Sequence, residues 1–309
     1  MQMKKSETLQ ALFTDTLKIV SGQKEASKFI MSGLSGLDTI TGGFFPGELV
    51  VVGSRPAMGK TQLMVNLSIR IGSSYPILYV SFDLSPNILT ARFISAITKI
   101  PVQKILTGTL DSEEDQRVKQ SADVIASLNI LVNDKGYHSM NEIQSSIVDH
   151  SKTHGTKMVI IDYLQLINIQ QFRGNRDQEI SYVCRELKNT AKELDICIVL
   201  VSQLNRGVEY RGYTKRPMLH DLRDSGSIEE DADKVILLYR PEYYHLTEDE
   251  HGISTKGVMD MIVAKNRIGS LGTIKLMWDK GFTSFSDYDD TYKDLIISQE
   301  RLDELDIPF

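Results

Sequence analysis

Short apolar runs alternate with amphipathic stretches along most of the chain. Runs at 49–52, 77–82, 129–132, 158–161, 196–201 and 235–239 are too short for helices and rich in β-branched residues. This pattern predicts buried parallel strands. Apolar residues recur at helical spacing in the intervening segments 62–67, 87–97, 141–152 and 180–194. The alternation predicts an α/β fold, with a mostly parallel sheet and helices on both faces.

The two ends of the chain differ from this central pattern. Runs at 258–264, 272–278 and 282–286 alternate or lie between glycines, which predicts antiparallel strands toward the C-terminus. Residues 6–20 predict an amphipathic helix whose apolar stripe must pack on its own core or on a neighbouring subunit. That stripe consists of Leu9, Leu12, Phe13, Leu17 and Val20. We therefore expect three parts: an N-terminal helix segment 1–28, an α/β domain 29–290 and an acidic tail 291–309.

Composition narrows the class of protein. The 309 residues are 41% hydrophobic and 25% charged, as in ordinary soluble proteins, and no apolar run approaches transmembrane length. The N-terminus lacks the apolar core of a signal peptide, so we expect a cytoplasmic protein. Cys184 and Cys197 lack metal-type spacing and are expected to be buried thiols. A net charge of −6 means that any nucleic-acid site must come from local basic clustering.

The segment 53–61 predicts a phosphate-binding loop. It follows an apolar strand, contains Gly59, Lys60 and Thr61, and precedes a helix. Main-chain N–H groups of the loop would surround the phosphates, Lys60 would reach the β- and γ-phosphates, and Thr61 would bind Mg²⁺. The strict pattern has glycine where this chain has Ser54, so the loop is a variant. The candidate nucleotide-binding residues are Ser54, Arg55, Pro56, Ala57, Met58, Gly59, Lys60 and Thr61.

Polar residues end three of the predicted strands. Asp162 is the candidate second Mg²⁺ ligand, although an Asp that ends a strand also caps turns. Asp83 is the candidate catalytic acid that orients water, with a capping role as the alternative. Gln203 is a candidate γ-phosphate sensor, although a glutamine at a strand end is otherwise unremarkable. Ligands of parallel sheets bind beyond the carboxyl ends of strands, so we expect these three side chains near the phosphate loop.

Two basic features complete the set of candidates. Residues 205–223 carry five cations against two acids and include Arg206 and Arg211, which suits contact with a nucleic-acid backbone. A solvated flexible loop is the alternative. Lys265 and Arg267 follow an apolar strand, and arginine stabilises charge on a phosphoryl group, either in its own site or in that of another subunit. Taken alone, this pair is more typical of surface charges at a strand end.

Together these motifs resemble the C-terminal ATPase domain of DnaB-type replicative DNA helicases. The resemblance covers about residues 30–288 and is specific because its motifs occur in order. The motifs are 33–38, 41–43, 53–61, 161–166, 202–206, 221–229, 231–233 and 265–267. It implies a RecA-like fold and a ring-shaped homohexamer, with ATP and Mg²⁺ at subunit interfaces. It also implies single-stranded DNA in the central channel, 5′→3′ translocation, and a primase or helicase loader as a possible further partner.

The resemblance also assigns roles to residues. It implies that Lys60 and Thr61 bind phosphate and Mg²⁺, that Asp162 serves the metal, and that Gln203 senses the γ-phosphate. Arg267, with Lys265, is implied to reach the nucleotide of the neighbouring subunit. The loop expected to contact DNA contains Arg223, Asp224 and Gly226.

Three departures from the family pattern accompany it. Asp83 stands where the family usually has Glu, and Asn266 stands where it usually has Gln. We expect the family's helical N-terminal collar domain to be missing, so that residues 6–20 correspond to its linker helix, which packs on the adjacent subunit. A carboxylate shorter by one methylene changes hydrolysis geometry unless the backbone compensates.

Alternatives remain open. A RecA-like ATPase that loads or organises other proteins on DNA without unwinding it is the second candidate, and a small-molecule kinase is disfavoured because no acceptor site is evident. The tip 302–309, which ends Asp306-Ile307-Pro308-Phe309, is similar to the acidic tip of bacterial single-stranded-DNA-binding proteins. A partner that recognises such a tip is one interpretation, and a chance acidic terminus is the other.

Overall fold

The computed structural model describes residues 8–21, 29–134, 139–167, 169, 172, 175–212, 214–222, 226–249, 252–279, 281 and 284–288. One mixed sheet organises most of these residues. Its strands are β1 Leu49–Ser54, β2 Ile77–Ser81, β3 Ile130–Asn133, β4 Met158–Asp162, β5 Cys197–Gln203, β6 Lys234–Tyr239, β7 Val258–Asn266, β8 Gly272–Asp279 and β9 Ser284–Asp287. In space they lie in the order β3-β2-β4-β5-β1-β6-β7-β8-β9.

Helices precede, connect and flank the strands. They are α1 Leu9–Val20, α2 Ser35–Thr41, α3 Lys60–Gly72, α4 Pro86–Thr98, α5 Val102–Thr107, α6 Ser112–Ser127, α7 Met140–His154, α8 Arg176–Leu194, α9 Gly207–Tyr210 and α10 Gly226–Asp231. Most of the helices that were predicted begin or end within a few residues of the predicted bounds. No helix was predicted for the segment of α2, because this helix is short and depends on the tertiary packing of Leu37 and Thr41.

The sheet has a parallel part and an antiparallel part. Strands β1 to β6 pair in parallel, whereas β7, β8 and β9 extend the β6 edge by antiparallel pairing. The predicted fold class is therefore confirmed. β1 lies between β5 and β6, so both of its edges are paired, and all of its residues are buried. The loop that follows β1 is therefore held by a rigid strand.

Alternate residues of the strands build two hydrophobic cores. Val50 and Val52 face a core that includes side chains of α2, α3 and α4, and Leu49 and Val51 face a core that includes side chains of α7, α8 and α10. This arrangement is the helix–sheet–helix layering predicted from the apolar runs. Burial of both faces also explains why these strands are continuous apolar runs in the sequence.

The predicted amphipathic helix also forms, as α1. Its described apolar residues remain exposed, with Leu9 at 82%, Phe13 at 60% and Val20 at 78% of full accessibility. Both cysteines are buried, as expected, and burial raises the pKa of the Cys184 thiol to about 12. Among the described residues, no helix has the combination of length and apolar composition needed to cross a membrane.

Candidate nucleotide and DNA site

The phosphate loop connects β1 to α3 at the carboxyl edge of the sheet. Ala57 and Gly59 both adopt left-handed backbone conformations, with φ of 62° and 95°. A Cβ atom on Gly59 would lie 2.6 Å from the Trp278 ring, so both the backbone angle and the packing require glycine there. Gly53, by contrast, still belongs to β1, and it allows close packing of Leu204 and Leu222. Gly53, which lies one residue before the position where the strict pattern has glycine, is thus needed for packing at the end of β1.

Lys60 lies inside this loop. Its Nζ donates to the Ser54 carbonyl at 3.2 Å, to Ser54 Oγ at 3.1 Å and to the Arg55 carbonyl at 3.1 Å. Burial lowers the pKa of Lys60 to about 8, an effect that nearby Asp162 partly offsets. The loop therefore holds a desolvated ammonium group against main-chain oxygens, which is an arrangement that a phosphate anion would complement.

Asp162 ends β4 directly beside the loop. It is 3% exposed and accepts hydrogen bonds from the Tyr79 hydroxyl at 3.0 Å and from the Thr61 side chain. Burial raises the pKa of this carboxyl group, although the two hydrogen bonds and Lys60 oppose the rise. Thr61 and Asp162 offer two oxygen ligands of the kind that Mg²⁺ prefers, on adjacent elements. Tyr79 was not predicted, since the chain position of a buried tyrosine in β2 carries no chemical signal.

Asp83 and Gln203 lie at the same edge. The strand register places Ser81 opposite Asp162 and Ser54 opposite Gln203, which brings the ends of β1, β2, β4 and β5 together. Asp83 is exposed and its charge acts on Lys60 and Asp162. The predicted convergence of these side chains on the phosphate loop is the arrangement found.

A second residue supports Gln203. Gln165 accepts from the Gln203 main-chain N–H at 3.0 Å and donates to Ser202 Oγ at 2.9 Å, while the Gln203 side chain is hydrogen-bonded to Tyr163. The end of β5 is thereby tied to the turn after β4. The sequence interpretation assigned no role to Gln165, because a glutamine in that turn has no distinctive spacing.

Residues near the antiparallel part of the sheet pack against the phosphate loop. Arg240, just after β6, lies over the Trp278 ring at 4.4 Å and donates to the Ala57 carbonyl at 3.2 Å. Trp278 is the residue that excludes a side chain at Gly59. Arg240 and Trp278 lie far along the chain from the loop, so sequence reasoning did not find them.

The basic loop after β5 is less free than its composition suggested. Arg211 pairs with buried Asp221 and Arg216 pairs with buried Asp260. Asp221 also accepts from the Met218 N–H at 2.6 Å. Much of the positive charge of this loop is therefore neutralised within the chain. The loop is neither the flexible solvated loop nor the open cationic surface that its composition suggested.

The other DNA candidates are placed differently. Arg206 is exposed at the start of α9. Gly226 begins α10, whereas Arg223 and Asp224 lie outside the described residues. The C-terminal tip likewise lies outside the described part of the chain, so its role and that of Arg223 and Asp224 stay predictions.

Lys265 and Arg267 lie at the opposite edge of the sheet. Arg267 donates to Asp233 Oδ1 at 3.0 Å and to the Glu230 carbonyl at 2.8 Å, and Lys265 donates to the Glu229 carbonyl. Asp233 in turn accepts from the N–H of Leu49, the first residue of β1. A strand of this length spans about 17–20 Å, so the main chain at Arg267 lies a full strand away from its own phosphate loop. The structure brings the other nucleotide-site candidates together and leaves this pair apart.

Comparison with known proteins agrees with this geometry. The sequence model of the DnaB-like helicase C terminal domain matches residues 30–287. Replicative DNA helicase DnaB of Buchnera aphidicola subsp. Baizongia pistaciae (strain Bp) is 34% identical over 287 residues, which cover 92% of this chain. A probable replicative DNA helicase of Trieres chinensis is 36% identical over 85% of this chain. The chain spans 59% of the length of each of these two curated relatives.

Solved structures give the same result. One of them, an ATPase domain, superposes with a TM-score of 0.84 at 31% identity, covering 92% of this chain and 100% of that domain. A DnaB-like replicative helicase, solved in a study of its interactions with primase, superposes with a TM-score of 0.80 at 32% identity, covering 93% and 68% of the two chains. The predicted RecA-like fold is therefore confirmed by both neighbours. The chain belongs to the DnaB-like helicase C-terminal domain family.

Proposed function

We propose that this chain is the motor of a DNA helicase, which hydrolyses ATP in a homohexameric ring and translocates 5′→3′ on single-stranded DNA. One observation carries the proposal: the candidate catalytic groups lie at opposite ends of β1. Lys60, Thr61 and Asp162 are at the carboxyl edge, and Arg267 is held at the amino edge by Asp233. Such a chain completes an ATP site only with a second copy, as a ring allows.

Each residue at the carboxyl edge then has a task. Lys60 leaves the Ser54 and Arg55 oxygens to bind the β- and γ-phosphates, and main-chain N–H groups at the start of α3 surround the anion. Thr61 Oγ and Asp162 are the residues that would hold Mg²⁺. They fit it, because the buried Asp162 carboxylate lies beside the Thr61 hydroxyl group and the two supply oxygen ligands of the kind that Mg²⁺ prefers. Bound Mg²⁺ supplies charge neutralisation at the phosphates.

Neighbouring side chains would carry out hydrolysis and transmit the loss of the γ-phosphate to the rest of the chain. Asp83 orients the attacking water and accepts its proton, and Arg267 of the adjacent copy stabilises the charge that develops on the γ-phosphoryl. Gln203 responds to the γ-phosphate and is joined through its main chain to β5 and the loop beyond it. Lys265 steadies the end of α10 next to Arg267.

The partners follow from the same proposal. Single-stranded DNA contacts Arg206 and the segment containing Arg223, Asp224 and Gly226, with Arg211 shaping the loop through Asp221. The second copy of the chain supplies Arg267. A primase or loader, and a protein that recognises the C-terminal tip, are further partners that we propose on the resemblance alone.

The direct test is ATP hydrolysis with and without single-stranded DNA, at a concentration where light scattering reports the oligomer. We expect hexamers whose hydrolysis is strongly stimulated by DNA, with Lys60→Ala as the inactive control. Hydrolysis near background in a protein that still binds ATP and DNA would overturn the motor and favour a loader or scaffold. Hydrolysis without any response to DNA would contradict both.

A further inference from the structure

Arg55 belongs to the phosphate loop, but its side chain points away from it. The guanidinium Nε donates to Glu209 Oε1 at 2.8 Å, and NH1 donates to the Leu204 carbonyl at 2.8 Å. Arg55 is 9% exposed, whereas the Glu209 side chain is 38% exposed, so the ion pair joins a buried guanidinium to a partly exposed carboxylate. Both acceptors belong to the segment after β5, which we define as the β5 loop, residues 204–222. A residue of the nucleotide site is thus a structural support of the candidate DNA-binding segment.

The β5 loop is closed on itself. Its ends pair where Leu204 meets Leu222, and the Asn205 N–H donates to the Asp221 carbonyl at 2.7 Å. Arg211 reaches back to Asp221 and fixes the distal part. Gly53 packs against both Leu204 and Leu222. A displacement at the phosphate loop therefore moves the described part of this segment, including α9 and exposed Arg206, as one unit.

Lys60 and Arg55 are joined through one carbonyl group. Lys60 Nζ donates to the Arg55 main-chain oxygen at 3.1 Å, and the Arg55 charge itself disfavours the ammonium form of Lys60. A phosphate that takes Lys60 would remove this hydrogen bond, and because the Arg55 and Lys60 charges act on each other, its negative charge would act on Arg55 as well. The Arg55–Glu209 pair must then compete with an anion that was previously absent.

We infer that the Arg55–Glu209 ion pair couples the nucleotide state of the phosphate loop to the position of the β5 loop, and so sets the affinity for single-stranded DNA. The inference rests on the proposed function and assigns it a positioning residue, Glu209, that touches neither nucleotide nor DNA. Breaking the pair leaves the buried Arg55 guanidinium with one acceptor fewer, which is a cost that the phosphate loop would transmit to the β5 loop. By reciprocity, DNA binding raises nucleotide affinity by the same factor.

The test measures the affinity of a labelled oligo(dT) by anisotropy, with a non-hydrolysable ATP analogue and with ADP. The wild-type protein should show a ratio of the two affinities of roughly fivefold or more. Glu209→Ala should bring this ratio close to one, while hydrolysis without DNA stays at the wild-type rate. Glu209→Gln keeps an acceptor for Arg55 without the charge, so its ratio should lie between the two.

Asp115→Ala is the matched control. It removes the exposed ion pair between Asp115 and Lys119 on α6, which lies outside the site. It should keep the wild-type ratio. If Glu209→Ala does not fold, a Glu209→Gln ratio equal to wild type overturns the inference. A Glu209→Ala protein that keeps the ratio, or that weakens DNA binding equally in both nucleotide states, overturns it as well. A wild-type protein with no nucleotide dependence overturns the proposed function itself.

Discussion

At the scale of single residues, two buried groups of opposite charge, Lys60 and Asp162, lie beside the phosphate loop. Burial lowers the pKa of Lys60 to about 8 and raises the pKa of Asp162, and each group partly offsets the shift of the other. In the proposed site, a phosphate beside Lys60 and a cation beside Asp162 would complete this arrangement. Binding should therefore raise the pKa of Lys60 and lower the pKa of Asp162.

Lys60 should make nucleotide binding pH-dependent. Because its pKa is about 8, the ammonium form is lost as pH rises through that value, and phosphate binding restores it. We expect affinity to weaken above pH 8, by up to about tenfold per pH unit, with uptake of a proton on binding. Calorimetry in buffers of different ionisation enthalpy measures both quantities. Lys60→Arg, which stays charged, should bind without uptake, and a flat wild-type affinity from about pH 7 to about pH 9.5 would contradict the expectation.

Asp83 should be required for hydrolysis but not for binding. Its carboxylate is exposed at the end of the β2 segment and has the charge needed to accept a proton from water. Asp83→Asn keeps the size and removes the basicity, so we expect ATP turnover to fall roughly 10²–10⁴-fold with unchanged ATP affinity. Single-turnover hydrolysis with parallel binding measurements tests this. An Asn variant with wild-type turnover would remove Asp83 from the mechanism.

Sequence reasoning could propose the candidate residues whose chemistry is local in the chain. Lys60, Thr61, Asp83, Asp162 and Gln203 each follow or end a strand, and the parallel sheet gathers strand ends at one edge. It missed the residues that act through long-range packing. They are Tyr79 on Asp162, Gln165 on Gln203, and Arg240 and Trp278 beneath the loop.

At the scale of elements, β1 separates two half-sites. The phosphate loop follows its carboxyl end, and Asp233 at its amino end holds Arg267 through a carboxylate that also accepts from Lys188 at 2.5 Å. Arg267 is therefore fixed before any partner arrives, and the two half-sites are held at opposite ends of the same rigid strand. In the proposed ring, the geometry of one copy would thus set where the next copy binds.

Mixing two inactive variants tests this division. Lys60→Ala should abolish phosphate binding in its own site, and Arg267→Ala should abolish charge stabilisation in the neighbour's site. In mixed rings, some interfaces combine an intact Lys60 with an intact Arg267, so we expect activity above that of either variant alone. Steady-state hydrolysis after subunit exchange measures it. Activity that stays at the level of the separate variants would contradict a shared site.

Element prediction succeeded where the pattern was strong. Buried strands such as β1 and β5 are continuous apolar runs, and α8 follows from regular spacing. The helix α2 was not predicted, because Gly36, Asp38 and its two threonines are typical of turns. Its stability comes from packing, which the local sequence does not show. The predicted runs 272–278 and 282–286 begin and end within two residues of β8 and β9, because glycines mark the turns around them.

At the scale of the whole molecule, the helix α1 remains without a described partner for its apolar stripe. Phe13 and Leu17 are 60% and 48% exposed, although the stripe is continuous along the helix. Exposed apolar surface of this kind marks an interaction site. We propose that α1 packs on an adjacent copy, as the linker helix was expected to do.

Phe13→Glu should therefore weaken assembly. A charge in the middle of the stripe would be buried at the interface without a partner, so we expect smaller species at a concentration where the wild-type protein forms hexamers. Multi-angle light scattering measures the mass. Ala11→Glu, which places the same charge on the opposite face of α1, is the matched control and should leave the mass unchanged. Equal masses for both variants would exclude α1 from the interface.

Strand separation on forked DNA tests the central claim most directly. The substrate carries either a 5′ or a 3′ single-stranded tail, and unwinding is followed by fluorescence with ATP, with Lys60→Ala as the control. A motor that translocates 5′→3′ should unwind the substrate with the 5′ tail, in an ATP-dependent manner that Lys60→Ala abolishes. A protein that hydrolyses ATP on DNA but separates neither substrate would contradict the account.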